Sequence, residues 1–349
     1  MGLRSEILIH PPKGGKHVTG GVIRGMVKFH LDKDTDFKKI SIALIQKGHV
    51  QWYEFATKST VNPRRTVGNR YVYEGREEAT LTKFYFLNKE LDEKCDTSTL
   101  KAGSYEHQFQ IQLPEEIPAS INTDIGEINY NIKLKFKKPS VFSFNKVFRT
   151  PITIYPRVDP KIPDQPVTVS LDKSLFKLFS SKKHEIKLKA ELDKGFLIPD
   201  GESKISFNVI NNSDVIFSVK TELVSKTKYR DRFMVEKIAR DNPKIERKVI
   251  RACTVETPSI PERSVSSDMY NIIPVAADLC TVRHSEIISR EFKLKVTLNL
   301  PLPHKNACVD IPVFIGENLN MVNELDAGFG EPMEAPPSYW EVMTEEMSK

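Results

Sequence analysis

Cysteine is sparse in this sequence. Its four residues, Cys95, Cys253, Cys280 and Cys308, stand far apart, with no CxxC pair and no Cys/His cluster. That spacing builds neither a structural zinc site nor a disulfide framework, and it predicts a reduced, intracellular protein. The eight histidines (His10, His17, His30, His49, His107, His184, His284 and His304) are scattered without an HExxH pair, so no metal and no cofactor are expected. A GxSxG elbow, a Walker A loop and a GxGxxG turn are all missing, and no carboxylate pair stands out as acid and base. The chain therefore reads as a non-enzyme. No apolar run approaches the length of a membrane-spanning helix. Residues 1–10 lack a charged stretch followed by an apolar one, so no signal peptide is expected. Glu6 stands where an N-myristoylation signal needs Ser or Thr. A soluble, cytoplasmic protein is the expectation.

Charge is present in both signs but unevenly placed. The net charge is +6 at pH 7, yet residues 317–349 carry eight carboxylates (Glu317, Glu324, Asp326, Glu331, Glu334, Glu341, Glu345 and Glu346) against Lys349. This end, with Gly328, Gly330 and Pro332 and no strand-like alternation, cannot bury enough apolar surface to offset ordering, and is predicted to be a disordered acidic tail. Within it Trp340, Met343 and Met347 fall at i, i+3 and i+7, which suits a short helix induced on binding. The excess of positive charge concentrates in 226–251, where ten Lys and Arg face four Asp and Glu. Such a run serves either as the wet face of strands and loops or as a contact with an anionic leaflet through Arg247, Lys248 and Arg251, worth about 1 kcal/mol per residue near the surface. Aromatics are few there (Tyr229 and Phe233) and the acidic tail would compete, so nucleic acid is not an expected partner.

Alternation with period two runs through both halves. Phe109, Ile111 and Leu113 alternate with Gln108, Gln110 and Gln112, and Ile128, Tyr130, Ile132, Leu134 and Phe136 alternate with Asn129, Asn131, Lys133 and Lys135. Later, Ile186, Leu188, Ala190 and Leu192 alternate with Lys187, Lys189 and Glu191. Phe292, Leu294, Val296, Leu298 and Leu300 alternate with Lys293, Lys295, Thr297 and Asn299. Strands with one dry and one wet face pair into antiparallel sheets that stack, so the fold class is all-β, a β-sandwich on each side of a break. The break is the proline-rich stretch 156–166, read as a stiff linker. The halves open alike: Gly20-Gly21 and Pro199-Asp200-Gly201 each read as a turn leading into a strand. The expected organisation is a sandwich over 1–155, the linker over 156–166, a second sandwich over 167–316 and the tail over 317–349.

The tail also contains Pro336-Pro337-Ser338-Tyr339. Two prolines pre-set polyproline II, so little entropy is lost when an aromatic groove takes the rings, and the tyrosine offers a ring and a hydroxyl to a neighbouring pocket. This is the ligand type read by WW domains. With 22 Pro and 10 Tyr in 349 residues, chance supplies such a match only about 0.04 times per chain. A stiffened tail end is the plainer alternative.

The chain resembles the arrestin superfamily and, within it, the α-arrestins (arrestin-domain-containing proteins). The resemblance is carried by Gly20-Gly21-Val22-Ile23-Arg24-Gly25-Met26-Val27, Lys47-Gly48-His49-Val50-Gln51-Trp52, Gly103-Ser104-Tyr105-Glu106-His107-Gln108-Phe109 and Gly126-Glu127-Ile128-Asn129-Tyr130-Asn131-Ile132-Lys133. The second half contributes Ile198-Pro199-Asp200-Gly201-Glu202, Asn211-Asn212-Ser213 and Val309-Asp310-Ile311-Pro312-Val313-Phe314-Ile315-Gly316. The resemblance implies two tandem arrestin-like sandwiches and a trafficking adaptor. The sandwiches would recognise a membrane receptor or transporter. The tail would recruit a HECT-type ubiquitin ligase, with Pro336 and Pro337 in the proline groove, Tyr339 in the tyrosine pocket and Ser338 at the tolerant position. Recruitment to the plasma membrane and endosomes follows from that role. Relatives often carry two such motifs and this chain shows one, which removes the basis for bivalent binding of one ligase. No stretch matches the arginine-bearing strand by which visual and β-type arrestins sense receptor phosphates, so phosphate-triggered activation is not implied. One branch of the family implies a mixed disulfide with a redox partner, for which Cys253 or another cysteine is the candidate against the commoner buried, inert thiol. A retromer-like sorting scaffold independent of ligases is the alternative function.

Overall fold

The structure, a computed structural model, describes residues 2–12, 14–58, 67–87, 97–139, 144–162, 164–175, 184–231 and 243–318, with the backbone alone at 55–58, 67–71 and 87. Every regular element among them is a strand, and no helix is long and apolar enough to cross a membrane. The chain divides into two compact units, Met1–Tyr155 and Pro156–Asn318.

The first unit contains β1 (Leu3–Ile9), β2 (His17–Val18), β3 (Val22–Leu31), β4 (Thr35–Phe37), β5 (Lys39–Lys58) and β6 (Val67–Leu87). It continues with β7 (Ser98–Leu100), β8 (Gly103–Gln112), β9 (Ile121–Asn122), β10 (Gly126–Lys137), β11 (Lys146–Ile152) and β12 (Ile154–Tyr155). One sheet has the order β1-β3-β8, and the other β11-β10-β5-β6 with β9 on β10. The period-two alternation sends one side of each strand inward. On β10 Ile128, Tyr130, Ile132, Leu134 and Phe136 are all buried, and on β8 Phe109 and Ile111 are buried while Gln108, Gln110 and Gln112 are exposed. The one hydroxyl in the β10 row has a partner, since Tyr130 Oη donates to Pro118 O at 2.6 Å. This keeps a buried polar group satisfied. The two sheets meet through aromatic rings, Phe29 of β3 standing edge-on to Phe136 of β10 at 5.1 Å between centroids.

The second unit contains β13 (Val167–Leu175), β14 (His184–Leu192), β15 (Phe196–Leu197), β16 (Glu202–Asn211) and β17 (Ser218–Tyr229). Then follow β18 (Lys244–Glu256), β19 (Ser264–Pro274), β20 (Ile288–Asn299) and β21 (Ala307–Ile315). Its sheets run β13-β14-β16-β19 and β15-β21-β20-β17-β18. Ile186, Leu188, Ala190 and Leu192 from the first, and Leu294, Val296 and Leu298 from the second, share one core.

The matching starts of the two halves are the same device built twice. Gly21 N donates to Val18 O at 2.9 Å and Gly201 N to Ile198 O at 3.2 Å, each closing a four-residue turn. The third turn residue has positive φ in both, 77° at Gly20 and 66° at Asp200. Only glycine and the short polar residues adopt that conformation readily. Each turn is then clamped to the end of a strand. Gly20 N donates to Pro114 O and Leu113 N to Gly21 O; likewise Asp200 N donates to Val275 O and Val275 N to Gly201 O. Just before each turn, a two-residue strand pairs in parallel, β2 with β12 and β15 with the end of β21. Two tandem sandwiches of one design result.

The Asn211-Asn212-Ser213 motif has a structural role. Asn211, fully buried, donates from Nδ2 to Val215 O (2.9 Å) and Pro261 O (2.7 Å), and its Oδ1 accepts from Ser213 N and Oγ. One amide thus satisfies the buried polar groups of a loop crossing the sandwich end.

The proline-rich stretch departs at its start from a ladder-free linker. Arg157 forms a parallel bridge with Glu317, Val158 N donates to Glu317 O at 2.9 Å and Glu317 N to Pro156 O at 2.8 Å. Val158 is buried with Phe196 and Phe314. The apolar Val158, lying between the prolines, is what docks this segment on the second unit. Gly316 permits the approach, since a Cβ there would lie 2.6 Å from Pro156 O.

Candidate functional site

Pro336, Pro337, Ser338 and Tyr339 lie outside the described residues, as do Trp340, Met343, Met347 and, within the basic run, Arg232, Lys237 and Arg240. The described part of that run is the β17–β18 hairpin. Its register sets Arg247 opposite Lys226, Ile245 opposite Lys228 and Lys248 opposite Ser225. Lys226 and Lys228 alternate with buried Thr227 and Tyr229, so they and Arg247 share the outward face of the sheet. Lys248 belongs to the other face, with Ser225, because neighbouring strand residues point opposite ways. Arg251 sits differently again. The ladder slips so that Leu223 faces Ile250 while Glu222 faces Thr254, leaving Arg251, Ala252 and Cys253 as a bulge. Arg247, Lys248 and Arg251 are all exposed, and among the described residues none has a carboxylate partner. The structure therefore groups Arg247 with Lys226 and Lys228 and does not bring Arg247, Lys248 and Arg251 onto one face.

Exposed apolar residues at the free edges are what the sequence reading passed over. Ile245 and Val249 of β18 are 42% and 41% exposed, and Val265, Tyr270 and Ile272 stand out from β19, the last strand of the other sheet of this unit. The only sequence signal for them is an apolar residue on what the alternation marks as the wet side.

Titratable groups are dispersed. His49 meets Glu74 at 3.2 Å and His184 meets Asp214 at 3.6 Å, on different units. Among the described residues no group of three His, Cys, Asp or Glu could hold a metal. Cys253 and Cys280 are buried and Cys308, on β21, is exposed. Burial pushes the Cys253 thiol up, and pushes that of Cys280 up to about 11 despite the pull of Arg290. Because the thiolate is the attacking species, neither buried sulfur is prepared for exchange at neutral pH. In the folded chain at pH 7.5, iodoacetamide should label Cys308 quickly and leave Cys253 and Cys280 intact for at least about tenfold longer, read by peptide mass spectrometry. Labelling of Cys253 at the rate of Cys308 would overturn its reading as an inert thiol.

An open depression of about 460 Å³ in the second unit is lined by Ile162, Val167, Thr281, Arg283 and Phe314 among others. The Arg283 guanidinium stacks over the Phe314 ring at 4.9 Å and reaches Asp159 at 4.0 Å. These contacts fix the proline segment's start to β21; a nucleophile with an adjacent base is not among the lining residues.

Residues 14–161 match the family model "Arrestin (or S-antigen), N-terminal domain" and residues 182–320 match "Arrestin (or S-antigen), C-terminal domain". Arrestin domain-containing protein 5 of Bos taurus is 23% identical over 133 residues, a stretch that covers 38% of this chain and 36% of that protein. With both domain models matched in order over most of its length, and each matched region folded as the same clamped-turn sandwich, the chain belongs to the arrestin family as an arrestin-domain protein of the α-arrestin type.

Proposed function

We propose that this chain is a non-catalytic trafficking adaptor that brings a WW-domain HECT-type ubiquitin ligase to a membrane receptor or transporter, so that the cargo is ubiquitinated and sorted into endosomes. The reading is supported by the family, whose members in general act as adaptors that bind cargo and trafficking partners. The single observation that carries the finer reading is Pro336-Pro337-Ser338-Tyr339 in the acidic segment behind two arrestin domains. On this proposal the acidic segment beyond the paired Glu317, residues 319–349, forms a displayed, disordered arm, and the protein is cytoplasmic until cargo recruits it to the plasma membrane and endosomes.

The double sandwich alone would also serve a retromer-like sorting scaffold, which needs no Tyr339. Affinity capture from cytosol with the intact chain beside a Tyr339→Ala chain separates the two. The adaptor loses its HECT ligase, and cargo ubiquitination in cells falls with it. An unchanged set of captured proteins would favour the scaffold.

A further inference from the structure

We infer that the free edge of β18 is a docking site for an extended acidic segment of a partner protein, which adds to the five-stranded sheet as a further strand. This goes beyond the ligase-adaptor reading and does not depend on the tail motif.

Among the described residues β18 pairs with β17 alone and closes the sheet order on that side. Residues 245–249 are five consecutive exposed positions, which an inner strand with a covered face cannot show. They offer about 17 Å of unpaired backbone donors and acceptors. No proline interrupts β18. Edges of this kind accept an incoming strand, the backbone giving affinity and the flanking side chains giving selectivity.

Charge decides the occupant. β18 carries Lys244, Arg247, Lys248 and Arg251 against Glu246 and, at its far end, Glu256, and Lys226 and Lys228 lie next to it on β17. The hydroxyl of Tyr229 reaches Glu246 Oε2 at 3.5 Å, and Ser218 Oγ and Asn299 Nδ2 donate to Glu256 Oε1, so both carboxylates of the strand are engaged within the sheet. A second copy of the chain is disfavoured. Two-fold antiparallel pairing centred at Glu246, at Arg247 or at Lys248 sets like charge against like charge, and directly opposed like charges destabilise a ladder. An anionic leaflet fits less well than a peptide, because Arg247 and Lys248 project from opposite faces of the strand and a plane meets only one of them. A strand added at the edge has side chains on both faces, so acidic residues at successive positions meet Arg247 on one side and Lys248 on the other. Val249 and Ile245 then give an apolar partner residue somewhere to rest.

The test uses the full-length chain and a fluorescent heptapeptide, EEVEEVE, acetylated and amidated, read by anisotropy at about 0.1 M salt. Two further forms carry N-methyl groups on the odd or on the even residues. They keep the charge and remove one alternate set of backbone donors. Binding should weaken at least about tenfold for one N-methylated form and stay within about twofold for the other, and a KKVKKVK peptide should not bind. Arg247→Glu and Lys248→Glu should each weaken binding by about fivefold or more, with the thermal melt unchanged because both side chains are exposed. Equal binding of both N-methylated forms would reduce the site to charge attraction and overturn the proposal. So would displacement of the peptide by phosphatidylserine vesicles together with sensitivity to only one of the two substitutions, which would identify a leaflet. Sedimentation as a dimer that Arg247→Glu dissolves would assign the edge to a second copy. Tighter binding after Glu341, Glu345 and Glu346 are changed to Gln would make the chain's own tail the occupant.

Discussion

A peptide covering residues 330–349 should bind an isolated WW domain from a HECT-type ligase, and Tyr339→Ala should abolish that binding. The phenol ring needs apolar walls and the hydroxyl a polar partner, so both halves of the side chain contribute. Tyr339→Phe keeps the ring and loses about one hydrogen bond, on the order of 1 kcal/mol, or roughly fivefold in Kd. Phosphorylation of Tyr339 should act like the alanine, since it forces a near-dianion into a pocket shaped for a neutral phenol. Pro337→Ala loses ring packing and loosens the free peptide, and both effects weaken binding. Ser338→Ala should be nearly silent. Titration of the variants side by side checks the order. If Ser338→Ala were as damaging as Tyr339→Ala, or if the unmodified peptide bound no WW domain of a ligase panel, the ligase-adaptor reading would lose its main support.

Strands whose alternation is undisturbed were readable from the chain alone. Ile128 to Phe136 on β10 and Ile186 to Leu192 on β14 are buried at every second residue, as their apolar periodicity predicts. The long β5–β6 hairpin was not so plain. On β5 both faces are covered, so Ile42, Ala43, Leu44 and Ile45 are all buried and the sequence shows a run where a strand pattern was wanted, while the register shifts fall on β6, where Leu81 and Phe86 have no opposite number. β17 hides its inward side behind Thr221, Ser225 and Thr227, buried polar residues that weaken the apolar signal. Pairing supplies their surroundings, and pairing is non-local.

The surfaces divide in the same way. A ligand motif such as Pro336-Pro337-Ser338-Tyr339 is local chemistry and can be seen in four residues. A charged surface is different, because its meaning depends on which way each side chain points. Arg247 and Lys248 are neighbours in sequence and look like one patch, yet the ladder with Lys226 and Ser225 places them on opposite faces. The displacement of Arg251 comes from the bulge, where three residues have no opposite number on β17. Nothing in the composition of 244–256 announces that slip; it arises when Leu223 and Glu222 must both keep their places in the β17–β20 pairing.

Phe136→Ala should cost the first sandwich about 3–5 kcal/mol, the range for deleting a fully buried aromatic side chain. Phe136 is 1% exposed and lies where rings from both sheets meet. Phe29 stands 5.1 Å away, Phe37 5.6 Å and Phe148 6.0 Å, and Phe29 in turn stacks on Tyr105 at 5.0 Å. Each well-set ring pair adds about 0.5–1.5 kcal/mol beyond the area it buries, and β10, held between β5 and β11, cannot shift to fill the gap without breaking two ladders. Against a typical domain stability of about 5–15 kcal/mol, the loss is a large fraction of the whole. Phe136→Leu retains most of the volume and should cost only about 1–1.5 kcal/mol. Trp52, buried in this unit and stacked on Tyr73 at 5.2 Å, reports its unfolding once Trp340 is replaced by Phe to remove the other indole. With a urea dependence of about 2 kcal/mol per molar, the Trp52 midpoint should fall by about 2 M for Phe136→Ala and by less than about 1 M for Phe136→Leu. A Phe136→Ala midpoint within about 0.5 M of the parent would mean that the ring chain between the sheets is not what holds them together.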